Sequence, residues 1–352
     1  MTIEQAIAAI RPADSRAMHE AQRRLDGMAK PLGSLGLLEK AIIRLAGAQR
    51  TADVHIERRA VAVFCADNGV VAQGVTQTGQ EVTAIVTENL SKGDTTVCRM
   101  ARRADVDVIP VDIGVARPVA GENIVQRNVR RGTADFTVEP AMTREECVRA
   151  VEVGIALAEE CKAWGYELLA AGEMGIGNTT TSAAVAAVLL EKTPEEVAGR
   201  GAGLSTKGLQ NKVDSIKKAI FLHRPSKNDP LDVIEKVGGL DIAGMVGLHL
   251  GGAACGLPVM LDGFISAVAA LAAVRLCPGV QPYLLASHVS AEPAARLVLD
   301  TLGEKPLICA GLRLGEGTGA VAGITLLDLA LAAYREMVSF ADTGIEAYTP
   351  QT

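Results

Sequence analysis

The sequence predicts an α/β fold built on an open, mostly parallel, Rossmann-like sheet of about six strands with helices on both faces. Two observations lead to this class. Short, apolar, β-rich runs alternate with longer helical stretches, and this alternation favours right-handed crossovers between parallel strands. Polar residues follow most of the apolar runs, as expected where a ligand site lies beyond the carboxyl ends of the strands.

Both ends of the chain predict helices. Apolar side chains recur at helical spacing from Ile3 to Ile10 and again from Met18 to Met28, and no strand is indicated before about residue 60. The last helical stretch covers residues 324–340, and we expect it to return and pack on the N-terminal helices.

The apolar pattern changes after residue 60 to short runs rich in β-branched residues. The predicted strands are residues 60–66, 106–111, 168–171, 257–261, 283–286 and 307–312. The main predicted helices between them are residues 144–164, 208–221 and 264–275. Ala, Val, Leu, Ile and Gly dominate these segments, as is typical where helices pack closely on a buried parallel sheet.

Polar groups cluster where these strands end. The residues that follow the predicted strands include Asp67, Asp112, Glu173, Asp262, His288 and Glu316. Because parallel strands share one carboxyl edge, the sequence predicts the ligand site at that edge.

The composition argues against nucleic-acid and membrane functions. The formal net charge of the 352 residues is −6, and the tight basic cluster at residues 127–131 fits a solvated face better than a nucleic-acid site. Residues 250–276 are strongly apolar, but Pro258 and Asp262 interrupt them. A core strand followed by a core helix is therefore favoured over a membrane span.

The cysteine pattern predicts reduced thiols. Seven cysteines are scattered without a CxxC pair and without histidines at metal-ligand spacing, which favours a cytoplasmic protein with no metal site. Residues 1–5 lack the basic segment and following apolar segment of a signal peptide.

Two glycine-rich loops carry the strongest functional signal. Residues 172–181 (GEMGIGNTTT) and 313–319 (RLGEGTG) each follow a predicted strand, precede a predicted helix and place one carboxylate among glycines. Glycines let backbone N–H groups approach a ligand, and a helix N-terminus favours an anion. The first loop matches neither a Walker loop nor a G-x-G-x-x-G fingerprint, and a plain strand-to-helix turn with threonine caps is the alternative. Together the two loops favour an enzyme that acts on a phosphorylated small molecule with a carboxylate base.

Several individual residues have two interpretations. Glu316 is either a first-turn acid favoured by the helix dipole or a general base, and Asp262 is either a ribose-hydroxyl acceptor or a helix cap. Lys207 and Lys212 follow a further glycine loop, GRGAG at 199–203, and either could neutralise a phosphate or be solvated. His288 follows Ser287, but without a G-x-S-x-G elbow a capping or hydrogen-bonded histidine is favoured over a Ser/His dyad.

One absent pattern narrows the chemistry. The sequence lacks the apolar run with paired acids and the Thr-Gly loop that are typical of enzymes using a pyrophosphate-activated ribose. A phosphoribosyl donor for this chain would therefore already be a nucleotide, and no Mg²⁺ is required.

These motifs together resemble one enzyme family, the nicotinate-nucleotide:5,6-dimethylbenzimidazole phosphoribosyltransferases of cobalamin lower-ligand synthesis. The matching stretches are KPLGSLGLLE (30–39), ADNGV (66–70), QEVT (80–83), GEMGIGNTT (172–180), GRGAGL (199–204), LDGF (261–264), SH (287–288) and LRLGEGTGA (312–320). They run in the family's order along nearly the whole chain. One departure is Asn68, where a histidine is common in the family, and we do not expect it to affect catalysis.

The resemblance implies a homodimer of two-domain subunits. The large α/β domain would cover residues from about 51 to 324, and a small helical domain would combine residues 1–50 with residues from about 325 to 352. The implied reaction transfers the phosphoribosyl group of nicotinate mononucleotide to 5,6-dimethylbenzimidazole, without a cofactor or metal. The alternatives are the same donor with another aromatic acceptor, such as adenine, a phenolic compound or another benzimidazole, or a nucleotide-binding regulator without catalysis.

The resemblance also implies roles for single residues. Glu316 would be the general base, and Glu173 a second acid near the reacting carbon. The implied phosphate contacts are Gly175, Gly177, Asn178, Gly201 and Lys212, with Arg313 and Ser290 nearby. Further expected substrate contacts are Thr179, Asp262 and Gly315, with Met174, Leu314, Gln77 and Gln80 expected at the acceptor ring.

Overall fold

A computed structural model describes residues 1–349 of the chain. Its centre is a six-stranded sheet in the order β3-β2-β1-β4-β5-β6, in which every pair is parallel. The strands are β1 (Arg59–Ala66), β2 (Asp107–Gly114), β3 (Val125–Gln126), β4 (Leu168–Met174), β5 (Val259–Leu261) and β6 (Leu284–Ala286). This is the doubly wound order, and the strand sequence reverses direction between β1 and β4, where ligands bind in such sheets.

The α-helices carry most of the remaining chain. They are α1 (Ile3–Ala9), α2 (Ser15–Gly27), α3 (Leu37–Gln49), α4 (Glu81–Lys92), α5 (Thr96–Arg103), α6 (Arg144–Ala163), α7 (Asn178–Leu190), α8 (Pro194–Val197), α9 (Thr206–His223), α10 (Pro230–Val237), α11 (Leu240–Ala254), α12 (Phe264–Leu276), α13 (Ala295–Leu302), α14 (Thr318–Glu336) and α15 (Phe340–Thr343). Two 3₁₀ helices span Gly69–Gln73 and Pro278–Tyr283. No helix within residues 1–349 combines the length and apolarity needed to cross a bilayer.

Helices cover both faces of the sheet, as the sequence predicts. On one face α11 packs on β1 and β4, with α6 behind it and α12 beside it; on the other, α14 packs on β4 and β5, and α4 on β1 and β2. All residues of β1 and β4 are buried, and successive residues such as Val63 and Phe64 enter the two different cores. Near-continuous apolar strands are therefore the sequence signature of this sheet.

The closest helix contact depends on glycine. A methyl group at Gly247 of α11 would lie 1.8 Å from the carbonyl oxygen of Val151 in α6, and one at Gly154 would lie 1.9 Å from the carbonyl oxygen of Gly244. Only residues without a Cβ allow these backbones to approach so closely. This contact sets how tightly the outer helix layer is held against α11.

The helices of the chain ends divide between two places. Helices α2 and α3 pack on each other, and α3 packs on α14. Arg24 of α2 also contacts α14, because its guanidinium lies 4.4 Å from the centre of the Tyr334 ring. Helix α1 instead packs on α11 and α6. The division into a small domain of residues 1–50 and 325–352 and a large domain of residues 51–324 stays a prediction, and its last residues, 350–352, lie outside the described chain.

One predicted strand is wrong. Residues 307–312 form no strand: Ile308 makes a single parallel bridge with His288, and the chain then turns away through Gly311, whose φ is 67°. The apolar composition of this run led to the wrong prediction. None of its residues is fully buried as strand residues would be, and Cys309 is exposed. The sixth strand is instead β3, two residues at the opposite edge of the sheet, too short to leave a periodic signal.

Candidate active site

A cleft of about 270 Å³ opens at the carboxyl edge of β4, β5 and β6. Nearly all the predicted site residues line it. They are Gln77, Glu173, Met174, Gly175, Gly177, Asn178, Thr179, Gly201, Lys212, Asp262, Ser290, Arg313, Leu314, Gly315 and Glu316. The carboxyl edge of the sheet therefore brings together loops that are far apart in sequence.

The two predicted glutamine contacts differ in position. Gln80 is not part of the cleft wall: it precedes α4, and its side-chain amide donates to the carbonyl oxygen of Asn68 at 3.1 Å. Gln77 lies in the wall, where its amide donates to the carbonyl oxygens of Ala202 and Gly203. Gln77 therefore fastens the 199–204 loop over the cleft.

The loop before α14 presents Glu316 in an unusual backbone conformation. Gly315, Glu316 and Gly317 have φ values of 92°, 61° and 88°, and Glu316 is thus a non-glycine residue in the left-handed region. Such a conformation costs of order 1–3 kcal/mol and persists where the surroundings enforce it, often at a functional site. A methyl group at Gly315 would lie 2.5 Å from Glu173 Oε1, so the Glu173 carboxyl group lies directly against this loop.

Asp262 holds that loop in place. Its Oδ2 accepts from the Gly317 N–H at 3.2 Å, and its Oδ1 accepts from the Ala320 N–H at 3.0 Å. Both carboxylate oxygens therefore bind the N-terminal turn of α14, which agrees with the helix-cap interpretation. Asp262 also lies in the cleft wall, and its contact with a ribose hydroxyl stays a prediction.

Glu316 carries a carboxyl oxygen suited to take up a proton. Within the described chain its Oε2 is buried and has no hydrogen-bond partner. Burial raises the pKa of this carboxyl group above its usual value, because the charged form loses solvation. A raised pKa brings a carboxylate base closer to the range in which general bases work well.

Glu173 is a second acid with an even stronger perturbation. It is buried, and burial together with the nearby Asp241 carboxylate raises its pKa to about 8. The Asn178 side-chain amide donates to Glu173 Oε2 and also, at 2.9 Å, to Asp241 Oδ2. This environment therefore favours the protonated form of Glu173 in the free cleft.

Asp241 was not found by sequence reasoning, and its presence changes the role of Asn178. Burial raises the pKa of Asp241 to about 6, and it lies in the first turn of α11. The Asn178 amide bonds to two carboxyl groups, and its backbone N–H donates to the Gly175 carbonyl oxygen at 3.0 Å. In this arrangement its donors bind carboxyl groups and the backbone, and its role as a phosphate contact stays a prediction. The available signal was a single carboxylate in a helix that is apolar apart from this residue and His249.

The opposite end of the cleft is cationic. Lys212 on α9 is fully buried, and its Nζ donates to Thr179 Oγ1 at 2.9 Å and to the Gly199 carbonyl oxygen at 3.0 Å. Burial lowers its pKa to about 8, and the Glu292 carboxylate opposes that shift. Lys212 is thus a buried cation with one N–H available to an anion. Glu292 lies beside it and was also missed by sequence reasoning.

His288 is hydrogen-bonded rather than part of a nucleophilic dyad. The Ser287 hydroxyl donates to the Asp262 carbonyl oxygen at 3.2 Å, and its oxygen lies 3.0 Å from His288 Nδ1. With the hydroxyl proton directed to Asp262, the histidine nitrogen is the donor in the second contact, so Ser287 is not activated as a nucleophile.

One group of possible metal ligands lies outside the cleft. His55, Glu57 and Glu167 have ligand atoms within 4.8 Å of one another, and the first two are exposed. Glu57 is already paired with Arg335. The chemistry of the cleft does not involve this group.

The doubly wound sheet and the cleft, which is lined by acidic side chains and a buried lysine, define a class of α/β protein suited to bind a small anionic ligand at the carboxyl edge of the sheet. Comparison with known proteins specifies this class further. The family model described as "Phosphoribosyltransferase" matches residues 10–345, and the chain belongs to that family.

Relatives with a named activity are similar in sequence to this chain along nearly its whole length. A nicotinate-nucleotide–dimethylbenzimidazole phosphoribosyltransferase from Acetivibrio thermocellus is 49% identical over 95% of both chains, and one from Ruminiclostridium cellulolyticum is 45% identical over 99% of both. The crystal structure of CobT from Thermus thermophilus superposes with a TM-score of 0.89 at 40% identity, covering 95% of this chain and all of the other. The family resemblance drawn from the sequence motifs is confirmed.

Proposed function

We propose that this chain transfers the phosphoribosyl group of nicotinate mononucleotide to 5,6-dimethylbenzimidazole, giving α-ribazole 5′-phosphate and nicotinate for the cobalamin nucleotide loop. Near full-length relatives at 42–49% identity that carry this activity in their names support the proposal. The single structural observation that carries it is the buried, unpartnered Glu316 oxygen in the same cleft as the buried Glu173.

The two substrates require one base and no acid. The nicotinate ring is bound to ribose through a positively charged nitrogen and leaves as a neutral pyridine, so it needs no proton. The benzimidazole attacks the anomeric carbon through one nitrogen and must lose the proton on the other. A single general base at the acceptor is therefore sufficient, and such a base contributes on the order of 10²–10⁴-fold.

Glu316 is the proposed base. Glu316 lines the cleft on a strained backbone, one of its carboxyl oxygens is buried without a partner in the described chain, and Asp262 fixes the loop that carries it. Desolvation strengthens its attraction for the benzimidazole proton. The acceptor ring is proposed to lie between Met174 and Leu314, and the 54% exposure of Leu314 at the cleft supports an apolar partner there.

Glu173 is proposed to stabilise the positive charge at the ribose. The donor ring is cationic, and cleavage of its bond moves that charge onto the sugar, as in glycoside hydrolysis. A cation next to Glu173 favours its ionised form, so donor binding would release the proton that Glu173 holds in the free cleft. The resulting carboxylate would act through space on the developing charge.

The donor phosphate is proposed to bind at the cationic end of the cleft. Lys212 supplies a buried charge, and the glycine backbones at residues 175, 177 and 201 line the same wall, with Ser290 and Arg313 nearby. A buried cation next to backbone amides is suited to a phosphate monoester.

The assay is direct. Purified protein is incubated with nicotinate mononucleotide and a panel of acceptors that includes 5,6-dimethylbenzimidazole and adenine, and released nicotinate is quantified by chromatography. We expect release that depends on acceptor and is fastest with the dimethylbenzimidazole. Binding of the nucleotide without release would contradict the proposal and favour a regulator, and a preference for another ring would change the acceptor.

We propose further that the chain is a cytoplasmic homodimer. The cysteines of the described chain are all free, and most are buried, which supports a reducing compartment. Phe221 and Leu222 on α9 are exposed by 78% and 49%, as on a surface that a second copy could cover. Light scattering that gives the mass of one chain would contradict the dimer.

A further inference from the structure

Glu292 places its carboxylate at the cationic end of the cleft, near Lys212. Its Oε1 accepts from the Gly201 N–H at 3.0 Å, and Gly201 belongs to the loop that also borders Lys212. Its Oε2 is buried and, within the described chain, has no hydrogen-bond partner. An acidic side chain thus holds a backbone donor at the end of the cleft where a phosphate would bind.

The approach of Glu292 is close and specific. A methyl group at Gly199 would lie 2.0 Å from Glu292 Oε2, so the carboxylate lies directly against the glycine loop. Its charge favours the protonated form of the buried Lys212. In this conformation the carboxylate therefore takes the electrostatic place of an anionic ligand.

The backbone of Glu292 is held by two hydrogen bonds that do not involve its carboxylate. The Glu292 N–H donates to Ser290 Oγ at 3.3 Å, and its carbonyl oxygen accepts from the Ala295 N–H at 3.1 Å. Within residues 1–349, the only hydrogen bond of the carboxylate is the one from the Gly201 N–H. A change of side-chain rotamer is enough to release the Gly201 N–H.

We propose that Glu292 is a resident competitor for the phosphate site, which sets the affinity for phosphorylated ligands by occupying the Gly201 N–H until a phosphate displaces it. This inference rests on the proposed function, because that function places the donor phosphate at Lys212. Both the donor and the product carry the phosphate, so Glu292 weakens the binding of both and assists product release. A ligand without a phosphate has no group to exchange for the carboxylate.

The test measures inorganic phosphate binding by isothermal titration calorimetry to the wild type and to Glu292→Gln. The glutamine keeps an acceptor for Gly201 but removes the negative charge, and a like charge at short range opposes a phosphate dianion strongly. We expect the Kd for phosphate to fall at least about tenfold. Glu336→Gln, at the exposed far end of α14, makes the same charge change outside the cleft and should leave the Kd unchanged.

A Kd for phosphate that is unchanged or higher in Glu292→Gln would overturn the proposal, because Glu292 would then be either neutral toward the phosphate or one of its supports. If that variant does not fold, Glu292→Ser replaces it with the same expectation. Nicotinate release by the wild type is measured separately. If the wild type releases nicotinate but the phosphate Kd of the variant is unchanged, only the competitor role of Glu292 is rejected. If the wild type releases no nicotinate, the proposed function is rejected.

Discussion

At the scale of single residues, the cleft depends on two carboxyl groups whose proton affinities differ from those of free glutamate. Glu173 is buried beside Asp241, and Glu316 is half-buried on a strained loop, with its Oε2 atom fully buried. Both arrangements disfavour the ionised form in the free protein. We expect this feature to be measurable without any substrate.

The raised pKa of Glu173 predicts a pH-dependent stability. The pKa rises from 4.5 in the unfolded chain to about 8 in the fold, so between these values the folded state binds the extra proton. The contribution of Glu173 is therefore full below about pH 4.5 and is lost as the pH rises toward 8. We expect Glu173→Gln to gain stability relative to the wild type from pH 5 to pH 8, at up to about 1.4 kcal/mol per pH unit.

Urea unfolding at several pH values measures this difference. An equal offset between Glu173→Gln and the wild type at every pH would show that Glu173 is ionised throughout. Glu336→Gln, an exposed site, serves as the control and should show no slope.

A second residue-scale prediction concerns the contact between Gly315 and the Glu173 carboxyl group. A methyl group at Gly315 would lie 2.5 Å from Glu173 Oε1, so Gly315→Ala must displace the Glu173 carboxyl group. An alanine at this positive φ also adds backbone strain of about 1–2 kcal/mol. We expect the rate of nicotinate release to fall at least about tenfold more than this strain alone would cause.

Gly311→Ala is the matched control for that strain. Gly311 also has a positive φ, 67°, and a methyl group added there would have no atom within 4 Å. Equal losses of turnover in the two variants would show that strain alone, and not displacement of Glu173, is responsible.

At the scale of elements, the sheet was largely predictable because buried parallel strands are near-continuous apolar runs. The runs at 60–66 and 168–171 correspond to β1 and β4, the strands on either side of the switch point. The run at 307–312 failed because an apolar composition does not distinguish a strand from an exposed loop that leads into a site. Strand β3 has only two residues and no sequence signal.

The contact of α6 with α11 gives a prediction of stability. Gly247→Ala would place a methyl group 1.8 Å from the Val151 carbonyl oxygen and force the two helices apart. We expect the free energy of unfolding to fall by about 3 kcal/mol, at the upper end of overpacking effects. Chemical denaturation measures it.

Gly27→Ala at the end of α2 is the comparison for this helix prediction. Nothing lies within 4 Å of a methyl group there, so the substitution should be neutral or stabilise by up to about 1 kcal/mol. A Gly247→Ala variant as stable as the wild type would show that the helix contact is looser than described.

At the scale of the whole molecule, sequence reasoning found the loops of the site better than the hydrogen bonds within it. Glu173 and Glu316 stand in recognisable motifs, Lys212 follows one, and the carboxyl edge of the sheet brings all three into one cleft. Asp241 and Glu292 carry no motif, because their roles arise only when α11 and the 290–293 loop fold against the glycine loops.

The central claim is that Glu316 removes the acceptor proton in a cleft that binds the donor independently of it. Steady-state nicotinate release by Glu316→Gln, measured together with the Kd for nicotinate mononucleotide, tests this most directly. We predict a Kd close to that of the wild type and a kcat lower by about 10²–10⁴-fold, the usual contribution of a general base. A kcat near that of the wild type, with Glu336→Gln as the control for loss of a carboxylate elsewhere, would contradict it.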